Sequence, residues 1–142
     1  MSREYLILEI TIIVARILIE IIFFAIGASI FSFLNVIIYR LPRRMQFTMG
    51  KSMCTSCQHE LMTKDLIPII SWISLKGKCR YCGEKISARY TIVEIIGGIS
   101  AVVCTLLFGI RPMAAIVFVV SGIVVTVAYI LYDKLIQRND NG

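Results

Sequence analysis

Three long stretches of the chain almost entirely lack charged side chains. Residues 21–39 and 112–132 contain no Asp, Glu, Lys or Arg, and residues 92–108 contain only Glu94. The helices of a soluble bundle carry a polar stripe on one side, and these stretches have none. About twenty apolar residues of helix are needed to cross a hydrocarbon core that is about 30 Å thick. We therefore predict three transmembrane helices rather than a soluble helical bundle.

Acidic residues are scarce as well, and the basic residues that outnumber them are unevenly placed. The chain has fifteen Lys and Arg against nine Asp and Glu, and ten of the fifteen lie between Arg40 and Arg89. No platform of aromatic side chains accompanies them, which argues against nucleic acid as a partner. Basic residues near helix ends stay on the cytoplasmic side of a membrane. We therefore expect a cytoplasmic loop between the first two helices and an N-terminus outside.

The N-terminal segment lacks the features of a cleaved signal peptide. Its start, MSREYLILE, has no excess of basic residues, and no small-residue cleavage site ends a short apolar core. The apolar pattern from Tyr5 to Tyr39 is too long for one straight span. We expect an interfacial amphipathic turn or two that leads into the first transmembrane helix.

Four of the five cysteines form two Cys-x-x-Cys pairs in the polar loop. Cys54 and Cys57 are separated by twenty-one residues from Cys79 and Cys82. Two tight turns of this kind can aim four thiolates at one point, which is typical of a zinc site. Redox-active pairs are the alternative, but the cytoplasm disfavours disulfides and two matched pairs favour a metal. Four cysteines leave no open position for a catalytic water, so we expect the zinc to be structural.

The predicted fold class is an all-α membrane protein with three transmembrane helices and a zinc-stapled cytoplasmic loop between the first and the second. The small residues Gly97 and Ala101 of the second helix suit close contact with another helix. The expected segments are a lead-in with the first transmembrane helix, the zinc-binding loop, the second and third transmembrane helices, and a polar cytoplasmic tail: 1–41, 42–91, 92–110, 112–133 and 134–142.

Several motifs, in order along the chain, resemble those of a known family. SFLNVIIYRLPRR is followed by GKSMCTSC, DLIP, GKCRYC and RYTIVEIIGG. Residues 27–98 resemble the N-terminal part of bacterial type IV prepilin leader peptidases closely, and the third helix does so more loosely. That family cleaves the leader from prepilins and pseudopilins and then methylates the new N-terminus with S-adenosylmethionine. Phe31 stands where the family usually has glycine, with Gly27 a turn away, so the sequence leaves close helix packing at that point open.

The resemblance implies an aspartyl peptidase site with two catalytic aspartates. This chain carries at most one of them. In the family, two aspartates at cytoplasmic helix ends share a proton and activate water, and the second lies in a Gly-x-Gly-Asp motif. This chain has only Asp65, Asp133 and Asp140, and no Gly-x-Gly-Asp. Asp133 matches the first of the two aspartates, and the alternative for it is an interfacial residue at a helix end. Peptidase activity therefore requires another aspartate from a partner chain or a second copy.

The resemblance also implies methyl transfer, for which Gly77 and Lys78 of the KGKC motif are the corresponding residues. Both residues could equally form the turn of the second knuckle. An acid or a backbone carbonyl must accept the proton of the methylated amine, and Glu94 at the membrane face is our main candidate. Its alternative is a snorkelling carboxylate at a helix start, which the macrodipole favours. No Gly-x-Gly-x-x-Gly pattern follows a strand, so S-adenosylmethionine would not be held by a soluble nucleotide-binding fold.

Two functions of different classes follow from the sequence. One is the N-terminal part of an enzyme that matures pilin or pseudopilin precursors in the bacterial inner membrane, completed by an aspartyl subunit or a homo-oligomer. The other is a non-catalytic membrane module that binds pilin-like helices or the partner that carries the aspartyl site.

Overall fold

The computed structural model describes residues 3–41 and 52–139, and in these residues the chain forms four α-helices. Their bounds are α1 (Arg3–Arg40), α2 (Ile70–Ser74), α3 (Arg89–Phe108) and α4 (Pro112–Asn139), with a 3₁₀ turn at Thr63–Asp65. The three long helices are long and apolar enough to cross a membrane. The predicted all-helical fold class with three candidate membrane spans and four cysteines between the first two is confirmed. Residues 42–51 of the expected loop and 140–142 of the expected tail, including Asp140, lie outside the described residues.

The first helix is much longer than a membrane span. Its 38 residues form one continuous helix, about 57 Å long at 1.5 Å per residue, against a hydrocarbon core of about 30 Å. The helix runs without interruption through Glu9, Arg16 and Glu20, so no break marks a boundary between lead-in and span. Most large apolar side chains in this first part are exposed, including Ile7, Ile13 and Leu18.

Helices α1 and α3 pack tightly in antiparallel orientation through small residues. A Cβ atom added to Gly27 would lie 2.4 Å from the carbonyl oxygen of Gly97 and 2.7 Å from the Cβ of Ala101. A Cβ atom on Gly97 would lie 2.3 Å from the Phe31 ring, which is fully buried. The backbones of the two helices therefore approach each other closely at these glycines, and the Phe31 ring packs on Gly97, which has no side chain. The sequence left close packing at Phe31 open, and in the structure the two helices do pack closely there, because Gly97 of the opposite helix leaves room for the ring.

Helix α4 lies parallel to α1 and completes the bundle more loosely. The rings of Phe31 and Phe118 are 5.7 Å apart between centroids, and Gly122 lies against Leu34 one turn further along. The end of α4 reaches the start of α3, where Asp133 meets Arg89. We call this end of the bundle, at which residues 41–88 join α1 to α3, the loop end.

Candidate metal centre and adjoining cavity

The two Cys-x-x-Cys segments form turns with the same backbone hydrogen bonds. In the first knuckle, the Cys54 N–H donates to His59 O and the Gln58 N–H donates to Cys54 O, both at 3.0 Å. In the second, the Cys79 N–H donates to Glu84 O at 2.8 Å and the Gly83 N–H to Cys79 O at 3.0 Å. Gln58 and Gly83 occupy equivalent positions and both have a positive φ, 56° and 73°. A glycine adopts this conformation freely, whereas glutamine does so at a cost.

The four sulfur atoms of these knuckles lie together. All four Sγ atoms of Cys54, Cys57, Cys79 and Cys82 are within 4.8 Å of one another, and Cys54 Sγ is 3.9 Å from Cys82 Sγ. Four sulfurs at about 2.3 Å from a tetrahedral ion would be about 3.8 Å apart. The structure therefore brings together all four predicted ligands in an arrangement that could hold a metal ion.

The electrostatics of the cluster favour binding of a cation. Backbone N–H groups of Cys57 and Ser56 lower the pKa of the Cys54 thiol to about 6. The N–H of Glu84 acts in the same direction on Cys82, but desolvation and hydrogen bonds to the other three sulfurs raise the pKa of Cys82 to about 12. Thiolates crowded at one point repel each other, and a bound cation removes that repulsion.

A salt bridge joins the second knuckle to the 3₁₀ turn at Thr63–Asp65. Arg80 Nε donates to Asp65 Oδ1 at 2.7 Å, and the Asp65 side chain is only 2% exposed. Burial acts to raise the pKa of Asp65, but the hydrogen bonds from Arg80 and the Met62 N–H outweigh it, so that this pKa is lowered. The His59 and Tyr81 rings, 3.7 Å apart between centroids, link the two knuckles directly. His59 is thus an exposed side chain beside the cluster.

Gly77 lies under the ring of Trp72. A Cβ atom on Gly77, whose φ is +66°, would be 2.9 Å from Trp72 Cζ2. Trp72 Nε1 donates to Ile86 O at 3.1 Å, and the Ile86 N–H donates to Gly77 O at 2.8 Å. The Lys78 side chain is exposed, and its backbone pairs with Lys85 across the knuckle. Both methyl-transfer candidates therefore take part in the turn of the second knuckle.

Glu94 connects the loop to the helices α1 and α3. The residue is 8% exposed, and its Oε1 accepts a hydrogen bond of 2.6 Å from the Ser32 hydroxyl. Its Oε2 accepts one of 2.7 Å from the backbone N–H of Ile69. Both carboxylate oxygens are thus engaged within the chain. The contact with Ile69 was not foreseen, because a backbone N–H in a loop leaves no signal in the sequence.

Ile69 has an unusual backbone conformation. Its φ of 63° and ψ of −51°, with the Ile70 N–H donating to Pro68 O, form a γ-turn, a strained conformation that is rare for a β-branched residue. Strain of this kind persists only where surrounding contacts impose it. The hydrogen bond to Glu94 is one such contact.

A cavity of about 490 Å³ lies between the loop and the helices at the loop end. It is lined by the knuckles, through residues such as Cys54 and Cys79, and by Glu94 and Asn35 from the helices. Asn35 is 5% exposed. Its Nδ2 donates to Tyr90 O at 3.0 Å, whereas its buried Oδ1 has no partner among the described residues. The sequence offered a signal for Asn35, since it is the one carboxamide in the apolar run 21–39.

Asp133 lies elsewhere at the loop end. Its Oδ1 is 2.6 Å from Nη1 of Arg89, and the Arg89 guanidinium is 5.7 Å from the ring centroids of both Tyr90 and Tyr129. Asp133, Gly77 and Lys78 are not among the residues that line the cavity, whereas Glu94 is. The predicted site residues are therefore divided among the metal cluster, the cavity wall, the knuckle turn and an ion pair.

Comparison with known proteins places this architecture in a family. The model of the bacterial peptidase A24 N-terminal domain matches residues 25–108. A prepilin leader peptidase/N-methyltransferase of Myxococcus xanthus is 35% identical over 80% of this chain and 34% of its own length. A protein of the same name from Vibrio cholerae is 43% identical over 45% of this chain and 28% of its own length.

A type 4 prepilin-like proteins leader peptide-processing enzyme of Escherichia coli is 30% identical over 75% of this chain and 46% of its own length. The chain thus spans less than half the length of these curated relatives. No solved structure matches it. The family model covers both knuckles, the cavity and α3, and the predicted resemblance is confirmed. The chain therefore belongs to the family of the bacterial peptidase A24 N-terminal domain.

Proposed function

We propose that this chain is the N-terminal, metal-holding part of a system that matures type IV pilin or pseudopilin precursors in the bacterial inner membrane. The observation that carries the proposal is the cavity of about 490 Å³ at the loop end. Its walls come both from the knuckles and from membrane-spanning helices, so a helix that emerges from the membrane could present its N-terminus there. The basic residues of the loop support a cytoplasmic position for it.

Zinc is the metal that we assign to the four-cysteine cluster. Four thiolates in a closed tetrahedron suit zinc, and such a shell leaves no position for a water nucleophile. The ion would stabilise the loop and take no part in the chemistry. Its thiolate shell would carry a net charge of about −2, which nearby lysine and arginine side chains offset.

Methyl transfer is the reaction that the cavity supports best. A volume of this size accommodates a small cofactor together with a peptide end. When bound, S-adenosylmethionine would supply a sulfonium methyl group to a neutral amine: the N–CH₃ bond forms as the S–CH₃ bond breaks, S-adenosylhomocysteine leaves with the electron pair, and the resulting ammonium gives up a proton. Asn35 Oδ1 is a buried acceptor without a partner, suited to a hydrogen bond from an amine or ammonium. Glu94, on the same wall, is the candidate acceptor of the proton.

Leader cleavage would need a second carboxylate in addition to Asp133. A pair of aspartates works with one carboxyl ionised and the other protonated, and residues 1–142 contain no Gly-x-Gly-Asp. The second aspartate would therefore come from outside these residues or from a second copy of them. Asp133, at the end of α4, would meet it there.

One observation favours a second candidate, a non-catalytic module that binds pilin-like helices or an aspartyl partner. Both oxygens of Glu94 accept hydrogen bonds from Ser32 and Ile69, and Asp133 is paired with Arg89. Acids that are already bonded within the chain can hold a structure together without any catalytic role.

An assay of peptide methylation distinguishes the two candidate functions, methyl transfer and non-catalytic binding. The purified protein in lipid vesicles is incubated with methyl-labelled S-adenosylmethionine and a peptide with the apolar N-terminus of a mature pilin. We expect label on the peptide, reduced about tenfold in Asn35→Ala, as the loss of one hydrogen bond to a bound amine implies. Ser29→Ala, an exposed position on the same helix, is the control.

Peptide binding without transfer of label would support the non-catalytic module instead. Cleavage of an unprocessed prepilin is measured in parallel, with and without an added membrane protein that carries Gly-x-Gly-Asp. Cleavage by this chain alone would show that residues 1–142, in one copy or two, supply both carboxylates, and would contradict the need for an added protein.

A further inference from the structure

The start of α2 lies closer to the middle of the helix bundle than the ends of the transmembrane helices do. The Ile69 N–H donates to Glu94 at 2.7 Å, and Glu94 is five residues inside α3 from Arg89, about 7.5 Å along the helix axis. Ser32, on the other side of the same carboxylate, is eight residues inside α1 from Arg40, about 12 Å along its axis. Arg40 and Arg89, at the ends of these helices, therefore lie further along the helix axes toward the loop end than the Ile69 amide does.

The residues around this contact expose large apolar side chains. Ile70 and Ile73 of α2 are 64% and 62% exposed, and because they lie three residues apart in a helix they share one side of it. Ile67, which precedes the turn, is 43% exposed. Trp72 points the other way, since its Nε1 donates to Ile86 O in the second knuckle. Lys64 and Lys76 flank the segment and are exposed.

We propose that this isoleucine face, formed by Ile67, Ile70 and Ile73, inserts into the acyl region of the bilayer leaflet at the loop end. The segment acts as a short interfacial element beside the three spans. Its occupant is lipid rather than protein, because the segment is tied to a side chain within a membrane-spanning helix at a depth where acyl chains surround the bundle. Apolar side chains at that depth are stabilised by transfer from water into the acyl region, and the flanking lysines contact anionic headgroups.

The proposal gives a physical reason for the strained γ-turn at Ile69. A loop that returns into the membrane must leave no backbone N–H unsatisfied at its deepest point. Glu94 accepts the Ile69 hydrogen bond and Pro68 O accepts that of Ile70, while Pro68 itself has no N–H to satisfy. The loop thus enters the leaflet with its exposed side chains apolar and its turn internally bonded.

Photocrosslinking of the full chain in vesicles tests the proposal. p-Benzoylphenylalanine replaces Ile70 in protein reconstituted into phosphatidylethanolamine and phosphatidylglycerol vesicles, and adducts are identified by mass spectrometry. The lipid-facing Ile99 on α3, 52% exposed, is the positive control, and Thr55 in the first knuckle, also exposed, is the negative control. We expect phospholipid adducts at position 70 comparable to those at 99 and several-fold more abundant than at 55.

Adducts at position 70 no more abundant than at 55 would overturn the proposal, and so would crosslinks at 70 predominantly to a second copy of the chain. Folding of each variant is checked independently by the emission of Trp72, the one tryptophan of the chain, and by bound metal. A separate variant, Ile73→Asp, should reduce the lipid adducts at position 70, because a charge on the same face opposes insertion. Unchanged adducts in that variant would also contradict insertion of this face.

Discussion

At the scale of single residues, Glu94 shows how a sequence pattern can identify an important residue without revealing its contacts. An isolated acid near the start of an apolar run was recognisable as a candidate. Its two partners, Ser32 and the Ile69 N–H, lie 62 and 25 residues away in the chain. Such distant contacts depend on the packing of α1 on α3, which spacing along the sequence does not encode.

Glu94→Gln is expected to loosen the loop without removing the side chain. A carboxamide can still accept from the Ile69 N–H through its oxygen, while its NH₂ group donates to the Ser32 hydroxyl oxygen. The hydrogen bond from Ile69 then has a neutral acceptor in place of a carboxylate, and a hydrogen bond of that kind is about half as strong. We expect faster hydrogen exchange at the amides of residues 67–71.

The control for this measurement is Glu9→Gln, which changes an exposed acid far along α1. Equal exchange at residues 67–71 in both variants would show that the Glu94 contact does not hold the loop.

At the scale of secondary-structure elements, the three transmembrane helices and the two knuckles were predictable because each has a local signature. Charge-free runs predict spans, and Cys-x-x-Cys spacing predicts knuckles. The contact between α1 and α3 was predictable only in part. Gly97 and Ala101 were identified as contact residues, but the fit of Phe31 over Gly97 requires both helices together.

Two glycine substitutions of the same kind should have different effects on the bundle. A Cβ atom on Gly97 would lie 2.3 Å from the Phe31 ring, whereas one on Gly122 would lie 3.3 Å from the flexible end of Leu34. We expect Gly97→Ala to destabilise the protein by about 1–3 kcal/mol through overpacking. Gly122→Ala should be nearly neutral, because its higher helix propensity offsets a small contact.

Thermal unfolding in detergent micelles, followed by circular dichroism, compares these two variants with the unaltered protein. Similar unfolding temperatures for Gly97→Ala and Gly122→Ala would contradict the tight contact between α1 and α3.

At the scale of the whole molecule, the four-cysteine cluster joins the two knuckles, which lie 21 residues apart in the chain. The described part of the loop contains short helical segments and two isolated bridges, and many of its apolar side chains are exposed. We expect a segment with so little core to depend on a bound metal for its stability. The family was predictable from the motifs, whereas the role of a chain that covers less than half of its relatives was not.

Removal of one sulfur should therefore unfold the loop and leave the bundle intact. We expect Cys79→Ser to lose nearly all bound zinc and to make residues 52–88 sensitive to protease, because three thiolates hold the ion far less tightly than four. The transmembrane helices keep their packing, so helical circular dichroism should change little. Zinc is measured by mass spectrometry of the purified protein.

Cys104→Ser is the matched control, because Cys104 is buried in α3, away from the cluster. Equal zinc content and equal protease resistance in the two variants would rule out the four-cysteine metal site.

The length of α1 determines where its charged residues meet the bilayer. If Arg40 marks one surface of the hydrocarbon layer, Glu20 lies about 30 Å away along the helix, Arg16 about 36 Å and Glu9 about 46 Å. Without tilt, all three charges are at or beyond the opposite surface of a layer that is about 30 Å thick. A tilt of about 40°, near the upper end of the observed range, would bring Glu20 to about 23 Å and Arg16 to about 28 Å from that surface, inside the hydrocarbon layer, so these charges favour a smaller tilt of the 38-residue helix. At a small tilt, the acids and the arginine that interrupt the apolar pattern lie at or beyond the bilayer surface opposite the loop end, where water can hydrate them.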